Sequence, residues 1–353
     1  MSPPPRPELV RHFPDLRRTL PWTPLARPTR VHALSRLESY MRGSEIWVKR
    51  DDQTSEIHGG NEARKLEFVF GEALRRGSRR MLAFGSVGSS SGLAVAAFAH
   101  HFELRAILAL SRRSSAKQVQ RVLQLEHGLG AELHRVDGGP RALWKLVQSC
   151  LGATPEASSR LPYVLWPRRA TLLGALGYVN AAYELHRQVA CGILPEPECI
   201  YVAVRSGATL AGLALGCQLA GIRSRLVGVV ADGHRPGSPR RLIGRACRVL
   251  RRSSRHFPAQ RGPAAAIELR RGNGPRVAGP QARGLLRDLE NLDLDATSTA
   301  PTMAALLDDR RAERVDGPVL FWQTHCPANL SRQPSAPAEA LPREFHEFFA
   351  ANS

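Results

Sequence analysis

The chain has 353 residues, of which 43% are hydrophobic and 6% aromatic, and it carries a formal net charge of +19. No apolar run approaches the roughly 18 residues of a membrane helix, and the first residues lack the apolar region of a secretory signal. The six cysteines are scattered and form no C-x-x-C pair, which argues against a zinc site or a disulfide framework. Only four of the 50 basic residues are lysines, an arginine bias that indicates solvated surfaces, so we expect a soluble cytoplasmic protein that binds neither membrane, metal nor nucleic acid.

The first half of the chain predicts a strand–helix alternation. A strand over 45–49 is followed by the turn His58-Gly-Gly-Asn61, where Asn61 is placed to cap a helix over 62–76. The next predicted elements are a strand over 81–84, a small-residue loop over 85–91, a helix over 92–99 and a strand over 104–110. This β-loop-α-β order is typical of an α/β fold.

The same order recurs later in the chain. A strand over 200–204 leads through the loop 205–209 into a helix over 210–219 and a strand over 226–230. Both loops run from the end of a strand to the start of a helix, where backbone N–H groups and the helix dipole favour anions such as phosphate. The two units indicate an α/β protein with a phosphate site as one possibility.

The last third is less regular. Residues 232–290 are rich in Arg, Pro and Gly and poorer in strand signal, and within them Glu268-Leu-Arg-Arg-Gly and Gly274-Pro275 predict loop around one short strand. Val319–Trp322 predicts a final buried strand, and a short helix is predicted after the Pro- and Ala-rich stretch 331–344.

One motif favours a serine hydrolase. Gly88-Ser89-Ser90-Ser91-Gly92 matches the G-x-S-x-G nucleophile elbow, with Ser90 as the nucleophile and with Asp295 and His325 following in the order of that family. The pattern is weak in a chain this rich in Gly and Ser, and the His58-Gly-Gly turn runs directly into a helix. The hydrolase is therefore kept as an alternative.

Several collinear segments resemble the D-cysteine desulfhydrase and aminocyclopropane-carboxylate (ACC) deaminase family. The matching segments are Trp22-Thr-Pro-Leu25, Ile46-Trp-Val-Lys-Arg-Asp-Asp52, Gly59-Gly-Asn-Glu-Ala-Arg-Lys-Leu-Glu-Phe68, Leu173-Gly-Ala-Leu-Gly-Tyr178, Ser206-Gly-Ala-Thr-Leu-Ala-Gly-Leu213 and Val319-Leu-Phe321 with Thr324. The resemblance implies the two-domain, three-layer α/β fold of fold-type-II (tryptophan synthase β-like) enzymes that use pyridoxal 5′-phosphate (PLP), with mostly parallel sheets.

The family fold also implies a domain division and a cofactor. A discontinuous large domain over 1–61 and 162–353 and a small domain over 62–161 would hold PLP in the cleft between them. By resemblance, the cofactor contacts fall on Lys65, Ser90, Ser206, Gly207, Ala208, Thr209 and Thr324. The family also suggests a homodimer that acts on a small amino acid.

The chain departs from the family pattern at its most important position. Glu62 stands where the family carries the lysine that forms the Schiff base, and a carboxylate cannot form an imine. Further departures are Val277, Ser298 and Thr299 at tyrosine and polar positions of the family, Ser89 and Ser90 at a serine–asparagine pair, and Arg168, Arg169 and Arg205 at glycines. Of these, Ser89 is retained as a possible residual nucleophile.

These departures leave two predictions beside the hydrolase. The first is a family member without Schiff-base catalysis, in which PLP is held non-covalently or lost and a small amino acid or phosphate-bearing ligand binds instead. The second is an active PLP-dependent lyase or deaminase that recruits Lys65, one helical turn from Glu62.

Overall fold

The computed structural model describes residues 7–42, 45–111, 117–137, 139–152, 162–231, 234–258, 265–271, 278–326 and 334–350. The chain divides into two compact units. The large unit consists of Met1–Phe68 and Thr171–Pro327, and the small unit of Val69–Ala170 and Ala328–Ser353. The domain boundaries expected from the family resemblance, at residues 62 and 161, stay a prediction beside this division.

The large unit is built on a six-stranded sheet in the order β1-β2-β10-β7-β8-β9. The strands are β1 Val31–Ala33, β2 Ile46–Lys49, β7 Cys199–Val204, β8 Arg225–Val230, β9 Ile267–Arg271 and β10 Val319–Trp322. Only the β1–β2 pair is antiparallel. Every residue of β7 and β10 is buried, as expected for central strands of a parallel sheet covered on both faces.

Helices cover both faces of this sheet. One apolar layer includes Tyr201 and Phe321 with residues of α12, and the opposite layer includes Ile200 and Trp322 with residues of α8 and α9. The helices of the large unit, with α4 and α8 continuing into the small one, are α1 Glu8–His12, α2 Leu16–Thr19, α3 Ser35–Tyr40, α4 Asn61–Arg75, α8 Pro167–Ala190, α9 Ala208–Ala220, α10 Pro239–Ser253, α11 Ala278–Glu290 and α12 Thr299–Arg311. A short 3₁₀ helix covers Asp51–Gln53.

The small unit has a four-stranded, all-parallel sheet in the order β5-β4-β3-β6. Its strands are β3 Arg80–Ser86, β4 Arg105–Ser111, β5 Glu132–Arg135 and β6 Tyr163–Leu165. Its helices are α5 Ser90–His101, α6 Lys117–Gly128, α7 Gly139–Gly152 and α13 Glu347–Ala350, with short 3₁₀ helices at Ala338–Ala340 and Arg343–Phe345.

A C-terminal segment, residues 334–350, completes the small unit against α6. The Ala336 N–H donates to the Gln124 carbonyl at 2.9 Å, and the Gln120 amide donates to the Phe348 carbonyl at 2.7 Å. Its apolar side chains Leu341, Phe345 and Phe348 are buried. The final helix predicted from the sequence is present as the single turn α13.

The predicted strands and the mostly parallel α/β class are confirmed, while several element ends differ. Asn61 is the first residue of α4 rather than a residue before it. The short strand predicted near Glu268 is present as β9, and helices α10 and α11, which were not predicted, lie on either side of it. Among the described residues, no helix is long and apolar enough to cross a membrane.

Candidate functional site

The turn before α4 is held tightly by backbone contacts of the large unit. Gly60 has a φ of +78°, and a Cβ there would lie 2.9 Å from the Thr324 carbonyl oxygen. The Gly60 N–H donates to the Asp51 carbonyl at 2.8 Å, and the Asn61 N–H donates to the Thr324 carbonyl at 3.1 Å. The turn therefore needs glycine, and it fixes where α4 starts and where residue 62 lies.

The side chain of Glu62 forms an ion pair within its own helix. Its Oε1 lies 2.9 Å from Lys65 Nζ, and each of the two side chains is 16% exposed. Burial opposes ionisation of Glu62, but the positive charges of Lys65 and Arg205 outweigh it and lower its pKa. Burial lowers the pKa of His58 to about 4, so this neighbour is neutral near pH 7. The cluster of Glu62, Lys65 and Arg205 thus carries one net positive charge.

The family-like residues around Glu62 form a buried ionic network of the large unit. Arg64 lies 2.9 Å from carboxylate oxygens of both Asp51 and Glu184, and Glu184 also pairs with Lys49, which is fully buried. Tyr178 completes the network by donating its hydroxyl to Asp51 at 2.9 Å. Burial opposes the charge on Glu184, but Arg64 and Lys49 outweigh it and lower its pKa to about 2. These motif residues therefore serve the fold.

Helix α8 packs against the first turns of α4 at two glycines. A Cβ at Gly177 would overlap the Arg64 carbonyl oxygen, and a Cβ at Gly174 would lie 3.0 Å from Lys65 Cγ. The Leu173-Gly-Ala-Leu-Gly177 motif therefore permits the close approach of the two helices, and Gly174 leaves room for the aliphatic part of Lys65.

The predicted phosphate loop lies at the start of α9. Gly207 precedes the helix with a left-handed φ of +88°, and the Ala208 N–H donates to Ser206 Oγ at 3.4 Å. The Asn61 amide donates to Thr209 Oγ1 at 3.4 Å, which joins this loop to the start of α4. The structure thus brings Glu62, Lys65, Thr324 and the loop 206–209 together in one unit.

Arg205 precedes this loop at a family glycine position. Its Nε donates to His234 Nε2 at 3.3 Å, and its charge also acts on Glu62. A cation beside a helix N-terminus adds to the positive potential that the backbone N–H groups provide. The substitution therefore keeps the loop attractive to anions while it adds side-chain bulk.

Ser89 and Ser90 lie in the small unit, at the start of α5. Ser89 is buried and caps this helix, because its Oγ accepts from the Gly92 N–H at 3.3 Å. Ser90 is exposed and is the first residue of the helix. The capping bond explains Ser89 without any catalytic role.

A buried carboxyl lies beside this helix start. Glu126, on α6, is fully buried, and neither of its oxygens has a hydrogen-bond partner among the described residues. A Cβ at Gly92 would lie 2.6 Å from its Oε1. Burial raises its pKa well above the ordinary value, which favours the protonated form of Glu126.

The other two residues of the hydrolase alternative belong to the large unit. Asp295 accepts hydrogen bonds from the backbone N–H groups of Thr297, Ser298 and Thr299 and from their three hydroxyls, at the start of α12. His325 Nδ1 lies 4.0 Å from an Asp295 carboxylate oxygen. The carboxylate of Asp295 therefore stabilises the start of α12, and this also accounts for Ser298 and Thr299.

Two further departures from the family pattern have separate outcomes. Arg169 pairs with Glu72 in the small unit, and Glu72 also accepts from the Tyr163 hydroxyl at 2.7 Å. Val277 lies outside the described residues. Within the described part of the chain, no group of three or more His, Cys, Asp and Glu side chains is arranged to hold a metal ion.

Comparisons with known proteins agree with the motif resemblance. The model of the family "Pyridoxal-phosphate dependent enzyme" matches residues 22–324. A D-cysteine desulfhydrase of Yersinia enterocolitica is 32% identical, over 84% of this chain and 90% of that protein, and one of Klebsiella pneumoniae is 30% identical, over 85% and 92%. The crystal structure of an ACC deaminase homologue superposes with a TM-score of 0.71 at 24% identity, covering 91% of this chain and 95% of that one.

The described residues fit one part of PLP and not another. The left-handed Gly207, the first turn of α9 and the net positive charge of the cluster around Lys65 suit the phosphate group. A covalent link would need an amine at position 62, where the chain has a carboxylate that holds the Lys65 ammonium. The site thus fits the phosphate of the cofactor but not its covalent attachment at residue 62.

The sequence named Glu62, Lys65 and Arg205, but it did not indicate that Arg205 and His234 lie near the start of α4. His58, Arg205 and His234 belong to the cluster, although they are separated by up to 176 residues in sequence. One available signal was charge. Arg205 stands at a family glycine position and Glu62 at the family lysine position, and the gain of a positive charge beside the loss of another indicates that the two substitutions compensate each other. Nothing in the sequence indicated Glu126 as an unpaired acid.

Proposed function

Because the chain belongs to the family of pyridoxal-phosphate dependent enzymes, we propose that it is a D-cysteine desulfhydrase- or ACC deaminase-like protein that binds a phosphate-bearing ligand without forming a Schiff base. The observation that carries this proposal is the ion pair between Glu62 and Lys65 beside the loop 206–209. The ligand would be PLP held non-covalently or a related phosphate compound. A cytoplasmic location and a homodimer are part of the proposal.

The charges of the site support binding of an anion. Lys65 and Arg205 supply two positive charges, and Glu62 offsets one of them. The remaining charge lies beside the backbone N–H groups at the start of α9, where a dianionic phosphate is favoured. Glu62 therefore lowers the affinity for phosphate without abolishing it.

The proposal is tested by borohydride reduction. The purified protein is incubated with PLP, reduced with borohydride and digested, and the peptides are examined by mass spectrometry. We expect PLP to bind reversibly and no peptide to carry a reduced adduct. An adduct on Lys65 would overturn the proposal and support the active lyase or deaminase in which Lys65 replaces the family lysine.

Substitutions of Glu62 separate binding from attachment. Glu62→Gln removes the negative charge and releases Lys65, so we expect the affinity for inorganic phosphate to rise about tenfold, equivalent to about 1.4 kcal/mol. Glu62→Lys restores an amine, and we expect an adduct at that position after reduction. Glu56→Gln is the matched control, because Glu56 is exposed and pairs with Arg27, and it should leave phosphate affinity unchanged. A phosphate affinity that does not respond to Glu62→Gln would contradict the proposed site.

The serine hydrolase remains the second alternative and has less support. The hydroxyl of Ser89 accepts the capping bond of α5, and the carboxylate of Asp295 accepts bonds from the start of α12. Labelling of Ser90 by a fluorophosphonate probe would favour it.

A further inference from the structure

Helix α10 carries the most concentrated positive charge of the described chain. It contains six arginines and no acidic residue, and no Asp or Glu occurs anywhere in residues 233–267. Its buried face consists of Pro239, Leu242, Ala246, Cys247 and Leu250, while all six arginines are exposed. The helix is therefore held by its apolar face and presents only arginine on the other.

Four of these arginines form a straight row. Arg241, Arg245, Arg248 and Arg252 are spaced by four, three and four residues, so they lie on one stripe of the helix. At about 1.5 Å per residue they are roughly 5.5 Å apart along the axis. None of the four forms an ion pair with a described residue, so their charge is not neutralised within the unit.

Neighbouring elements of the large unit extend this surface. Helix α2 is joined to the end of α10, because Thr19 Oγ1 donates to the Ser253 carbonyl at 3.1 Å, and Arg17 on α2 is exposed. Arg255, just after α10, is also exposed. We name the set Arg17, Arg240, Arg241, Arg245, Arg248, Arg252 and Arg255 the arginine face.

We propose that the arginine face binds the phosphate backbone of double-stranded nucleic acid without sequence preference. A guanidinium group binds phosphate through paired hydrogen bonds, and a duplex carries one negative charge for about every 1.7 Å of its axis, so a row of arginines roughly 5.5 Å apart matches a dense array of phosphates. This proposal is independent of the phosphate-ligand site. It revises the expectation drawn from the sequence, because the helix places four of these arginines on one exposed stripe.

The chemistry of the face disfavours other partners. The apolar side of α10 is already buried, and Phe257, the aromatic residue next to the face, is buried as well. The seven arginines of the face include no apolar side chain to insert into a bilayer and no aromatic ring, and the exposed imidazole next to them, His256, pairs with Asp15 at 2.8 Å. A second copy of the chain would be repelled by the same charges. A linear array of phosphates with paired bases is the partner that these features fit.

The test measures binding of a fluorescent duplex of about 20 base pairs, as DNA and as RNA, by anisotropy between about 50 and 200 mM salt. We expect binding at low salt that weakens with a linear log–log slope. In the variant with Arg241, Arg245, Arg248 and Arg252 all changed to Gln, the magnitude of that slope should decrease by about 3 to 4. The affinity for the duplex at low salt should decrease at least about 100-fold.

Two controls keep the result specific. The first is a variant with four exposed arginines outside the arginine face changed to Gln: Arg42, Arg79, Arg283 and Arg343. It lowers the net charge by the same amount as the row variant, and its affinity for the duplex should stay within about threefold of that of the unchanged protein. The second changes the four row arginines to Lys, which should retain the slope and guards against a Gln variant that fails to fold.

Three results would overturn the proposal. The first is no duplex binding by the unchanged protein at low salt, and the second is an equal loss in the control that removes arginines elsewhere. The third is binding to vesicles of anionic phospholipid, or to an acidic peptide, that exceeds binding to the duplex at the same salt concentration.

Discussion

At the scale of single residues, Glu126 is an acid that the small unit tolerates only in its protonated form. It is fully buried without a hydrogen-bond partner among the described residues, and burial raises its pKa. In the unfolded chain the same carboxyl ionises near its ordinary pKa of about 4.5. The folded state therefore keeps a proton that the unfolded state releases, and this contribution to stability decreases as pH rises above that value.

We expect Glu126→Gln to remove this pH dependence. Relative to the unchanged protein, the free energy of unfolding of the variant should rise with pH by about 1.4 kcal/mol per unit above pH 4.5, until the pKa of the folded state is reached. Urea unfolding at several pH values measures the difference. Glu339→Gln, at an exposed position, serves as the control. A difference that stays constant with pH would contradict a raised pKa.

Residue identity at the candidate site was predictable where a motif fixed the register. Gly59-Gly-Asn61 and Arg64-Lys65 bracket Glu62, so its position at the start of α4 followed from the sequence. Its remote neighbour Arg205 did not follow, because that arginine reaches Glu62 only through the packing of α4 and α9. The buried network was hidden for the same reason: Glu184 lies 120 residues after Arg64 and stands in no recognised motif.

At the scale of elements, the close packing of α8 against α4 requires glycine at position 177. A Cβ at Gly177 would overlap the carbonyl oxygen of Arg64. We expect Gly177→Ala to force the helices apart and to lower the free energy of unfolding by about 1–3 kcal/mol. Because α4 carries Glu62 and Lys65, phosphate affinity should fall as well.

Gly244 in α10 provides a control, because we expect its substitution by Ala to raise the free energy of unfolding rather than lower it. A Cβ there would meet no atom within 4 Å, so Gly244→Ala should stabilise the protein by roughly 0.5–1 kcal/mol through helix propensity alone. Thermal unfolding of both variants measures the two effects. Equal effects of the two substitutions would show that the close approach at Gly177 carries no cost.

Helix α10 shows why some elements were not predicted from the sequence. Strands β3, β7, β8 and β10 were predicted because they are short apolar runs, which a parallel sheet requires. In α10 the apolar residues recur every three to four positions, as in a helix, but they lie among six arginines. This polar composition resembles that of a loop, so the helical periodicity was overlooked. Composition was thus a poor guide where one face is buried and the other fully charged.

At the scale of the whole molecule, the C-terminal segment stabilises a unit that is otherwise made of residues before 171. Deleting residues 334–353 would remove the buried side chains of Leu341, Phe345 and Phe348 and the hydrogen bonds of this segment to α6. At about 1.5–3 kcal/mol for each buried side chain, we expect the small unit to lose several kcal/mol and to unfold before the large one. Hydrogen exchange of the α6 amides measures this, with deletion of residues 351–353 alone as the control. Unchanged protection of α6 would contradict it.

The order of the large sheet has a consequence for the birth of the protein on the ribosome. Strand β10 pairs with β2 on one side and β7 on the other, so the last strand to be synthesised is a central one. Residues 50–318 must be translated between β2 and β10, which at about 5–20 residues per second takes roughly 15–50 s. The β2 edge stays unpaired throughout that interval and the β7 edge from the synthesis of β7 onward, which makes the nascent chain a candidate client for chaperones and makes any prematurely terminated product prone to aggregation.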